Sequence, residues 1–409
     1  MKRLLLSFTI AALPALSQQT HWVTTWASAQ LKATPPPANG QAKQPPTPAQ
    51  LALAGFHDQT VRMVVPTTVA GAQARIEISN VFGDKPLTIG AASVALRQKD
   101  STIQPGTSRE LTVNGKKTFL VSAGASVITD PVALAVPQLS DLLVSLYFPT
   151  DTGAPTLHQV GLHTTYIAKG DATGQPELTD AANSASWYFL SAVHVLAPAN
   201  TAAVVTFGDS ITDGVASTPN ENRSWPAIFA KRLAGNGAAR VAVVNEGISG
   251  NRVLRDGAGA NALARFDRDV LGVSGVKWVV VMEGINDIGR AVGNNANPGD
   301  AATADDIIAG HKQLIERAHM HGLKAIGATL TPYGGAGYYS EAGEAMRQAV
   351  NQFIRSGGAY DAVVDFDAVI RDPANPTRMQ PQFNPGDNLH PNDAGYKAMA
   401  EAVNLALFQ

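Results

Sequence analysis

The chain has 409 residues, of which 45% are apolar and 16% charged, a composition typical of a globular protein with sizeable cores and not of a disordered or fibrous one. Lysine and arginine together number 31 against 33 aspartates and glutamates, and the resulting net charge of -2 does not indicate a nucleic-acid partner. There are no cysteines, which excludes disulfides, thiol nucleophiles and cysteine-ligated metals.

The first residues predict an exported protein. Lys2 and Arg3 precede a mostly apolar run over residues 4–16, and small residues follow around Ser17. This order is typical of a secretory signal peptide, and the run is too short to span a bilayer. We therefore interpret residues 1–19 as a signal peptide and expect a secreted or periplasmic protein without a membrane partner. A buried N-terminal strand or helix is the alternative.

Residues 20–200 predict a β-rich domain. The prolines between residues 34 and 48 favour an extended loop. Further on, Arg75-Ile76-Glu77-Ile78-Ser79 alternates polar and apolar residues, as a half-buried strand does. Asn114-Gly115 lies between two β-like stretches and predicts a two-residue hairpin, because both turn positions need positive φ. Many short strands with little helix indicate a β-sandwich or jelly roll.

Residues 201–409 predict an α/β domain, because short apolar runs there alternate with stretches of helical period. Such alternation favours a parallel sheet covered by helices on both faces. The predicted strands are residues 202–207, 241–244, 276–282, 324–330 and 362–366. The predicted helices are residues 225–233, 263–270, 305–319, 344–354 and 394–407, and within the third of these His311 and Glu316 are interpreted as a solvated face.

Polar and glycine residues follow the first three predicted strands, at the edge where open parallel sheets bind ligands. Ser210, in Gly208-Asp209-Ser210, can act as a nucleophile, although a helix cap is the commoner role of such a serine. Gly250 can direct its N–H into a site or be an ordinary turn glycine. Asn286 can donate its amide to a developing negative charge or cap the next helix.

A carboxylate and an imidazole come together after the last predicted strand. Asp387 and His390 are three residues apart, so both side chains can project from one tight turn. The carboxylate can then orient the ring while the other ring nitrogen faces a nucleophile. Ser, Asp and His in this chain order occur in known hydrolytic triads.

Together these blocks resemble the GDSL family in its SGNH hydrolase branch, named for a Ser, a Gly, an Asn and a His. Gly-Asp-Ser matches at Ser210, the second block at Gly250, Gly-x-Asn-Asp at Asn286, and Asp-x-x-His at Asp387 and His390. All four blocks are intact and in the family's order, and the resemblance covers residues 203–406.

The resemblance implies a flavodoxin-like, three-layer αβα hydrolase domain with a serine mechanism. Ser210 would attack an ester carbonyl to form an acyl-enzyme, His390 would be the general base, and Asp387 would orient the ring. The N–H groups of Ser210 and Gly250 and the Asn286 amide would form the oxyanion hole. No metal and no cofactor is implied.

The N-terminal half adds a second, less specific resemblance. Residues 22–27, Arg62 and residues 78–84 resemble the leading β domain of an extracellular subgroup of these esterases, one associated with deacetylation of plant polysaccharides. The expected partner is therefore a small ester or an acylated carbohydrate, and the β domain either binds sugar or packs against the catalytic domain. The alternatives are a lipase or arylesterase with the same machinery, acyl transfer to a sugar, and a carbohydrate-binding protein with an inert esterase domain.

Two further features near the predicted site have open interpretations. The loop of residues 331–339 is rich in Gly and Tyr and either lines a sugar or acyl pocket or is a surface loop. Arg252 lies beside Gly250 and either contacts substrate or forms a surface ion pair. The sequence does not predict an oligomeric state.

Overall fold

The computed structural model describes residues 19–34, 47–236, 240–293 and 296–409. Residues 1–18 of the predicted signal peptide and residues 35–46 of the predicted proline-rich loop lie outside the described residues. Within the described ranges, no helix has both the length and the apolar character needed to cross a membrane.

The N-terminal region is an antiparallel β-sandwich, and the short helix α1 (Pro48–Ala52) lies between its second and third strands. Its strands, β1 to β16, are Thr20–Ala27, Leu31–Lys32, Gln59–Pro66, Ala74–Ser79, Leu87–Ile89, Ala91–Lys99, Thr102–Ile103, Arg109–Glu110, Phe119–Val121, Ser126–Ile128, Asp141–Phe148, Thr156–His158, Thr165–Lys169, Ala182–Ser184, Trp187–Tyr188 and Leu190–Pro198. One large sheet has the order β1-β16-β4-β10, and the other has the order β14-β13-β3-β11-β6-β7 with β8 beside β6. Two small sheets, β15-β12-β2 and β5-β9, complete the region.

Alternating side chains form the sandwich core. In β4, Ile76 and Ile78 are fully buried while Glu77 between them is partly exposed, as the sequence pattern predicts. These side chains share one apolar cluster with Val61 and Met63 of β3 in the facing sheet. The predicted β-sandwich is therefore confirmed.

The predicted Asn114-Gly115 hairpin is a tight turn with a very short ladder. Both residues have the expected positive φ, 53° and 74°, and Val113 and Lys116 exchange two backbone hydrogen bonds across the turn. The following strand, β9, then pairs with β5 from an earlier part of the chain. The Asp130 carboxylate accepts hydrogen bonds from both turn N–H groups and so supplies the support that a longer ladder would give.

The C-terminal region is a flavodoxin-like parallel sheet with helices on both faces, as expected. Its strands are β17 (Ala202–Gly208), β18 (Val241–Gly247), β19 (Val276–Met282), β20 (Lys324–Ala328) and β21 (Ala362–Val364), in the order β18-β17-β19-β20-β21, and the hairpin β22 (Arg371–Asp372) and β23 (Asn375–Met379) follows. The α-helices are α2 (Ser210–Asp213), α3 (Trp225–Gly235), α4 (Ala262–Phe266), α5 (Ile285–Ala291), α6 (Ala304–Met320), α7 (Glu341–Ser356), α8 (Phe366–Ile370) and α9 (Asp393–Ala402). A π-helix, Asp267–Leu271, continues α4, and 3-10 helices span Pro298–Asp300, Pro381–Phe383 and Leu405–Phe408.

Different elements cover the two faces of the parallel sheet. Apolar side chains of α3, α7 and α9 pack on one face. Those of α4 and α6 pack on the other, where strand β1 of the sandwich also lies: Val23 of β1 shares an apolar cluster with Val205 and Val244. The predicted last helix, residues 394–407, is shorter than expected, since α9 ends at Ala402 and a 3-10 turn follows.

Polar contacts reinforce the junction between the two regions. Thr24 of β1 donates its N–H to the Ser274 carbonyl at 3.0 Å, and its hydroxyl accepts from the Ser274 N–H. The edge strand β18 donates the Val243 N–H to the Thr68 hydroxyl at 3.2 Å, so the sandwich also satisfies part of that edge. These hydrogen bonds thus join the two regions in addition to the apolar cluster that they share.

Candidate active site

Ser210 begins α2 immediately beyond the carboxyl end of β17. Its side chain is buried, with 6% of the residue exposed, and Asp209 caps the helix by accepting the Ile211 N–H at 3.0 Å. The end of β18 lies directly against this turn: a Cβ on Gly247 would be 2.3 Å from the Asp213 nitrogen. A glycine is therefore required there for β18 to support the turn that carries Ser210.

His390 connects Ser210 with Asp387. Its Nε2 lies 2.9 Å from the Ser210 hydroxyl, and its Nδ1 lies 2.6 Å from one carboxylate oxygen of Asp387. The other carboxylate oxygen accepts the N–H groups of Leu389 and His390 at 2.9 and 3.0 Å. The structure thus brings together the three residues that the sequence predicts as nucleophile, base and orienting carboxylate.

These partners define the tautomer of the neutral His390 ring. A carboxylate only accepts hydrogen bonds, so Nδ1 must carry the proton that Asp387 receives. Nε2 is then an acceptor, and the Ser210 hydroxyl donates to it. A serine that donates to an imidazole in this way is arranged to lose its proton as it attacks.

Contacts between α9 and the loop after α2 place His390 over Ser210. The Thr218 N–H and hydroxyl both donate to the Asp393 carboxylate, at 2.8 and 2.6 Å. The Tyr396 hydroxyl donates to the Val215 carbonyl at 2.6 Å. Asn388, between Asp387 and His390, has a φ of 61°, a left-handed conformation that asparagine tolerates better than most residues.

The predicted oxyanion donors follow three adjacent strands. β17, which leads to Ser210, lies between β18, which leads to Gly250, and β19, which leads to Asn286. Gly250 is exposed with a φ of 81°, and the Asn286 amide donates one hydrogen to the Asn251 carbonyl at 2.9 Å. That contact orients the amide and leaves its second hydrogen for another acceptor.

A buried arginine that the sequence analysis did not single out links these loops. Arg265 of α4 donates to the backbone carbonyls at the ends of β17 and β18, Gly208 at 3.0 Å and Glu246 at 2.7 Å. It also donates to the Asn251 side chain at 2.9 Å, next to the carbonyl that Asn286 binds. The only sequence signal was its place in a predicted amphipathic helix, where an arginine is usually solvated.

Several carboxyl groups are buried beneath the same edge of the sheet. Burial raises the pKa of Asp209 to about 7 and that of Asp287 to about 6, although the N–H groups of Val253 and Leu254 partly offset the effect at Asp287. Burial also raises the pKa of Glu283 well above its ordinary value. The charge of Asp287 adds to burial at both Asp209 and Glu283, so these carboxyls form a cluster that resists ionisation.

The pKa of Asp387 is shifted in the opposite direction. Its partial burial alone would raise its pKa, but the hydrogen bonds from the His390 ring and from two backbone N–H groups outweigh this and hold the pKa below its ordinary value. Asp387 is therefore ionised at neutral pH and accepts the hydrogen bond from Nδ1 of His390.

Arg252 forms an ion pair, which was one of its two interpretations, and most of the tyrosine loop is buried or half-buried. Arg252 pairs with Asp300 at 3.0 Å and its side chain is 11% exposed. Tyr338 packs against Gly289 of α5, where a Cβ would lie 2.4 Å from its ring, and the charges of Asp209 and Asp387 add to burial in raising its pKa. The 331–339 loop thus packs beside the site.

The interpretation of His311 as part of a solvated helix face is wrong. His311 is fully buried, its Nε2 donates to the Glu283 carbonyl at 3.0 Å, and its Nδ1 accepts from the Tyr360 hydroxyl at 2.6 Å. Burial lowers its pKa to about 4, so the ring is neutral and helps to fix the end of β19. In the described ranges, no group of three or more His, Asp or Glu side chains is arranged to hold a metal ion.

Comparisons with known proteins identify the C-terminal region. Residues 204–403 match the family model described as GDSL-like Lipase/Acylhydrolase. No curated protein matches the chain. The similar solved structures include a GDSL-like lipase from Bacteroides thetaiotaomicron, 22% identical, covering 50% of this chain and 87% of that chain with a TM-score of 0.38. They also include a variant of an acetyl xylan esterase from Geobacillus stearothermophilus, 25% identical, covering 49% and 92% with a TM-score of 0.40.

Proposed function

Residues 204–403 belong to the GDSL-like lipase/acylhydrolase family, which makes the chain a carboxylic ester hydrolase, and we propose that it removes short acyl groups, above all acetyl, from hydroxyl-rich alcohols. The observation that carries the mechanism is the continuous hydrogen-bonded series Ser210–His390–Asp387. The family resemblance of the four sequence blocks is confirmed by the family match.

In the proposed reaction, the Ser210 oxygen attacks the ester carbonyl carbon while its proton moves to Nε2 of His390. The resulting imidazolium is stabilised by the ionised Asp387 at 2.6 Å. Collapse of the tetrahedral intermediate breaks the bond to the alcohol oxygen, which takes the proton from Nε2. A water molecule then attacks the acyl-enzyme and gives a proton to Nε2 of His390. Collapse of the second tetrahedral intermediate breaks the bond to the Ser210 oxygen, which takes this proton back as the carboxylic acid leaves.

The carbonyl oxygen becomes negatively charged in both tetrahedral intermediates, and three donors would stabilise it. These are the Ser210 and Gly250 N–H groups and the free hydrogen of the Asn286 amide. Removing one donor of this kind reduces the rate by about 10²–10³-fold. Since Asn251 accepts the other Asn286 hydrogen, the amide is oriented before substrate arrives.

The surroundings of Ser210 support a short acyl group and a polar alcohol. Tyr338 packs against Gly289 of α5, the helix that carries Asn286, and so fills space beside this proposed oxyanion donor. In the neighbouring loop, partly exposed Asn384 donates to Asn388, which in turn donates to the Gly335 carbonyl at 3.3 Å. Such amides suit an alcohol portion rich in hydroxyl groups, as in a carbohydrate.

The surface gives less support to a lipase. An enzyme that works at a lipid surface needs an exposed apolar patch around its site. The large exposed apolar side chains of the described ranges lie in the sandwich and its loops, at the end of α6 and on the edge strand β21; they are Leu51, Leu120, Ile128, Leu139, Met320 and Val363.

Hydrolysis of a chromogenic ester series from acetate to octanoate, by wild type and Ser210→Ala, tests the proposal. We expect the highest kcat/KM on acetate and at least a ~10⁴-fold loss of kcat in the variant, because the acyl-enzyme can no longer form. Glu316→Gln, at an exposed position of α6, is a control variant that should fold and keep wild-type activity. A maximum at octanoate would indicate a lipase instead, and an active Ser210→Ala protein would exclude the serine mechanism.

We also propose that the protein is exported, on the basis of the charged, apolar and small residues at positions 2–17. Expression of the full chain followed by mass determination of the secreted product tests this. A product beginning near residue 20 is expected, and an uncleaved intracellular chain would contradict the proposal.

A further inference from the structure

A buried histidine of the sandwich contacts the helix that carries Ser210. His158 is the last residue of β12, and its Nε2 lies 3.0 Å from a carboxylate oxygen of Asp213, the last residue of α2. The two side chains are 4% and 3% exposed. A polar contact so thoroughly removed from water must be well satisfied if it is not to destabilise the fold.

The neighbours of the pair show how it is satisfied. His158 Nδ1 lies 2.8 Å from the Ala29 carbonyl, which only accepts, so Nδ1 carries a proton. The second Asp213 oxygen accepts both the N–H and the hydroxyl of Ser249, at 2.9 and 2.6 Å. Two donors on one oxygen indicate a carboxylate, and Nε2 then also carries a proton, so the pair is an imidazolium with a carboxylate.

The electrostatics agree with this assignment. Burial disfavours a charged imidazole, yet the charge of Asp213 and its hydrogen bond, together with the hydrogen bond to Ala29, outweigh burial and raise the pKa of His158. The charges of the pair compensate each other within the interior.

The pair also connects two parts of the active site. Asp213 lies one helical turn after Ser210 in α2, and Ser249 immediately precedes Gly250. The carboxylate therefore holds the loop that presents the Gly250 N–H against the helix that presents the Ser210 hydroxyl. His158 is the contact by which the sandwich holds that carboxylate in place.

We propose that His158 is a positioning residue for the oxyanion site: it fixes Asp213, which in turn fixes Ser249 and thereby the Gly250 N–H. The N-terminal sandwich is then part of the working catalytic centre and not only a cover for one face of the sheet. The inference rests on the proposed function, since an oxyanion site matters only if Ser210 attacks a carbonyl.

Two substitutions of His158 separate positioning from packing. In His158→Gln the side-chain amide can occupy the place of Nε2 and still donate to Asp213, whereas in His158→Asn it reaches only the place of Nδ1, near Ala29. We expect the Gln variant to keep kcat within about threefold and the Asn variant to lose about 10–100-fold in kcat with KM little changed, because misplaced catalytic groups affect the transition state.

Another histidine–carboxylate pair provides the matched control. His194 lies in β16, with Nε2 3.4 Å from Glu77 and Nδ1 3.1 Å from the Thr24 hydroxyl, and it contacts neither α2 nor the Gly250 loop. His194→Gln removes a buried histidine of similar setting, and we expect wild-type kcat once the folded fraction is matched by circular dichroism.

Ser249→Ala keeps the test decisive if His158→Asn does not fold. It removes one of the two hydrogen bonds that Ser249 donates to Asp213 and leaves the backbone N–H, so we expect about a 3–10-fold lower kcat at unchanged KM. Wild-type kcat in folded His158→Asn, or in Ser249→Ala, overturns the inference, and so does an equal loss in the Gln and Asn variants. A wild type inactive on every ester overturns the proposed function as well, which distinguishes the two failures.

Discussion

The two regions of the molecule bury arginine in different ways. In the sandwich, Arg62 of β3 is fully buried and donates mainly to backbone carbonyls, those of Ser101 and Gln175 at 2.9 and 2.8 Å among them. In the α/β domain, Arg265 also binds carbonyls, but it pairs with Asp269 at 3.1 Å and lies 3.7 Å from Glu283. Arg62 thus binds mostly backbone carbonyls, whereas Arg265 combines carbonyl contacts with an ion pair.

The difference corresponds to what each arginine holds together. Burial lowers the pKa of Arg62 to about 10, and its contacts join β3 to the loops that cover the outer face of one sheet. Arg265 joins the ends of β17 and β18 to the Asn251 loop, at the edge where Ser210 lies. Arg62 thus stabilises the fold alone, whereas Arg265 stabilises the fold and also holds the loops of the candidate active site.

Arg265→Met would test this distinction with the largest expected effect. It breaks the buried pair with Asp269, which keeps only Arg268, and removes the donor to the Gly208 and Glu246 carbonyls, so we expect the free energy of unfolding to fall by about 3–5 kcal/mol. The folded fraction should also show a lower kcat, because the Asn251 side chain loses its partner beside Asn286. Urea unfolding and initial-rate measurements check both; unchanged kcat would separate Arg265 from the chemistry.

Arg62→Met should have a smaller effect, confined to stability. Losing the guanidinium leaves several buried carbonyls without donors, and we expect a loss of about 1–3 kcal/mol in the free energy of unfolding. The kcat of the folded protein should equal that of wild type, because none of its partners touches the active site. A fall in kcat comparable to that of Arg265→Met would remove the contrast between the two regions.

The carboxyls of the two regions should respond oppositely to pH. Asp287, with its pKa raised from 3.8 to about 6, stabilises the fold fully below pH ~4 and progressively loses that contribution as pH rises to ~6. Relative to Asp287→Asn, wild-type stability should therefore fall by about 2–3 kcal/mol over this interval, which thermal and urea unfolding at several pH values would measure.

The contribution of Glu77, in the sandwich, to stability should change with pH in the opposite direction. Burial would raise its pKa, but hydrogen bonds from His194, Ser126 and Ser191 outweigh burial and lower it. Its contribution is present above pH ~4.5 and is lost as pH falls through the lowered pKa. Wild type measured against Glu77→Gln should therefore lose stability on acidification. If the stability difference between wild type and variant changed with pH in the same direction for Asp287→Asn and Glu77→Gln, the predicted contrast between the two regions would be wrong.

The residues of the catalytic series were accessible from the sequence because each lies in a short local pattern. Asp387 and His390 are three residues apart, and Ser210 directly follows a predicted strand. The α/β rhythm likewise predicts which residues share an edge of the sheet, because parallel strands present their carboxyl ends together.

What the sequence did not predict depends on contacts between distant parts of the chain. His158 and Asp213 are 55 residues apart and lie in different regions, so no local spacing marks them as partners. His311 fits a solvated helix face by periodicity, yet the Tyr360 hydroxyl and the Glu283 carbonyl satisfy it in the interior. Hydrophobic periodicity indicates which face of a helix a residue occupies, but it does not indicate whether a buried polar partner is present there.

The position of β1 on the parallel sheet has a consequence for how the chain folds. Thr24 of β1 forms a hydrogen bond with Ser274, which is 250 residues later in the chain. Ser210 and His390, which form a hydrogen bond in the active site, are 180 residues apart. Folds built on such long-range pairings form slowly, because distant segments must meet before they are stabilised. The first strand leaves the ribosome long before its partners exist, so its apolar side chains need protection during synthesis. The active site can close only after His390 has been synthesised.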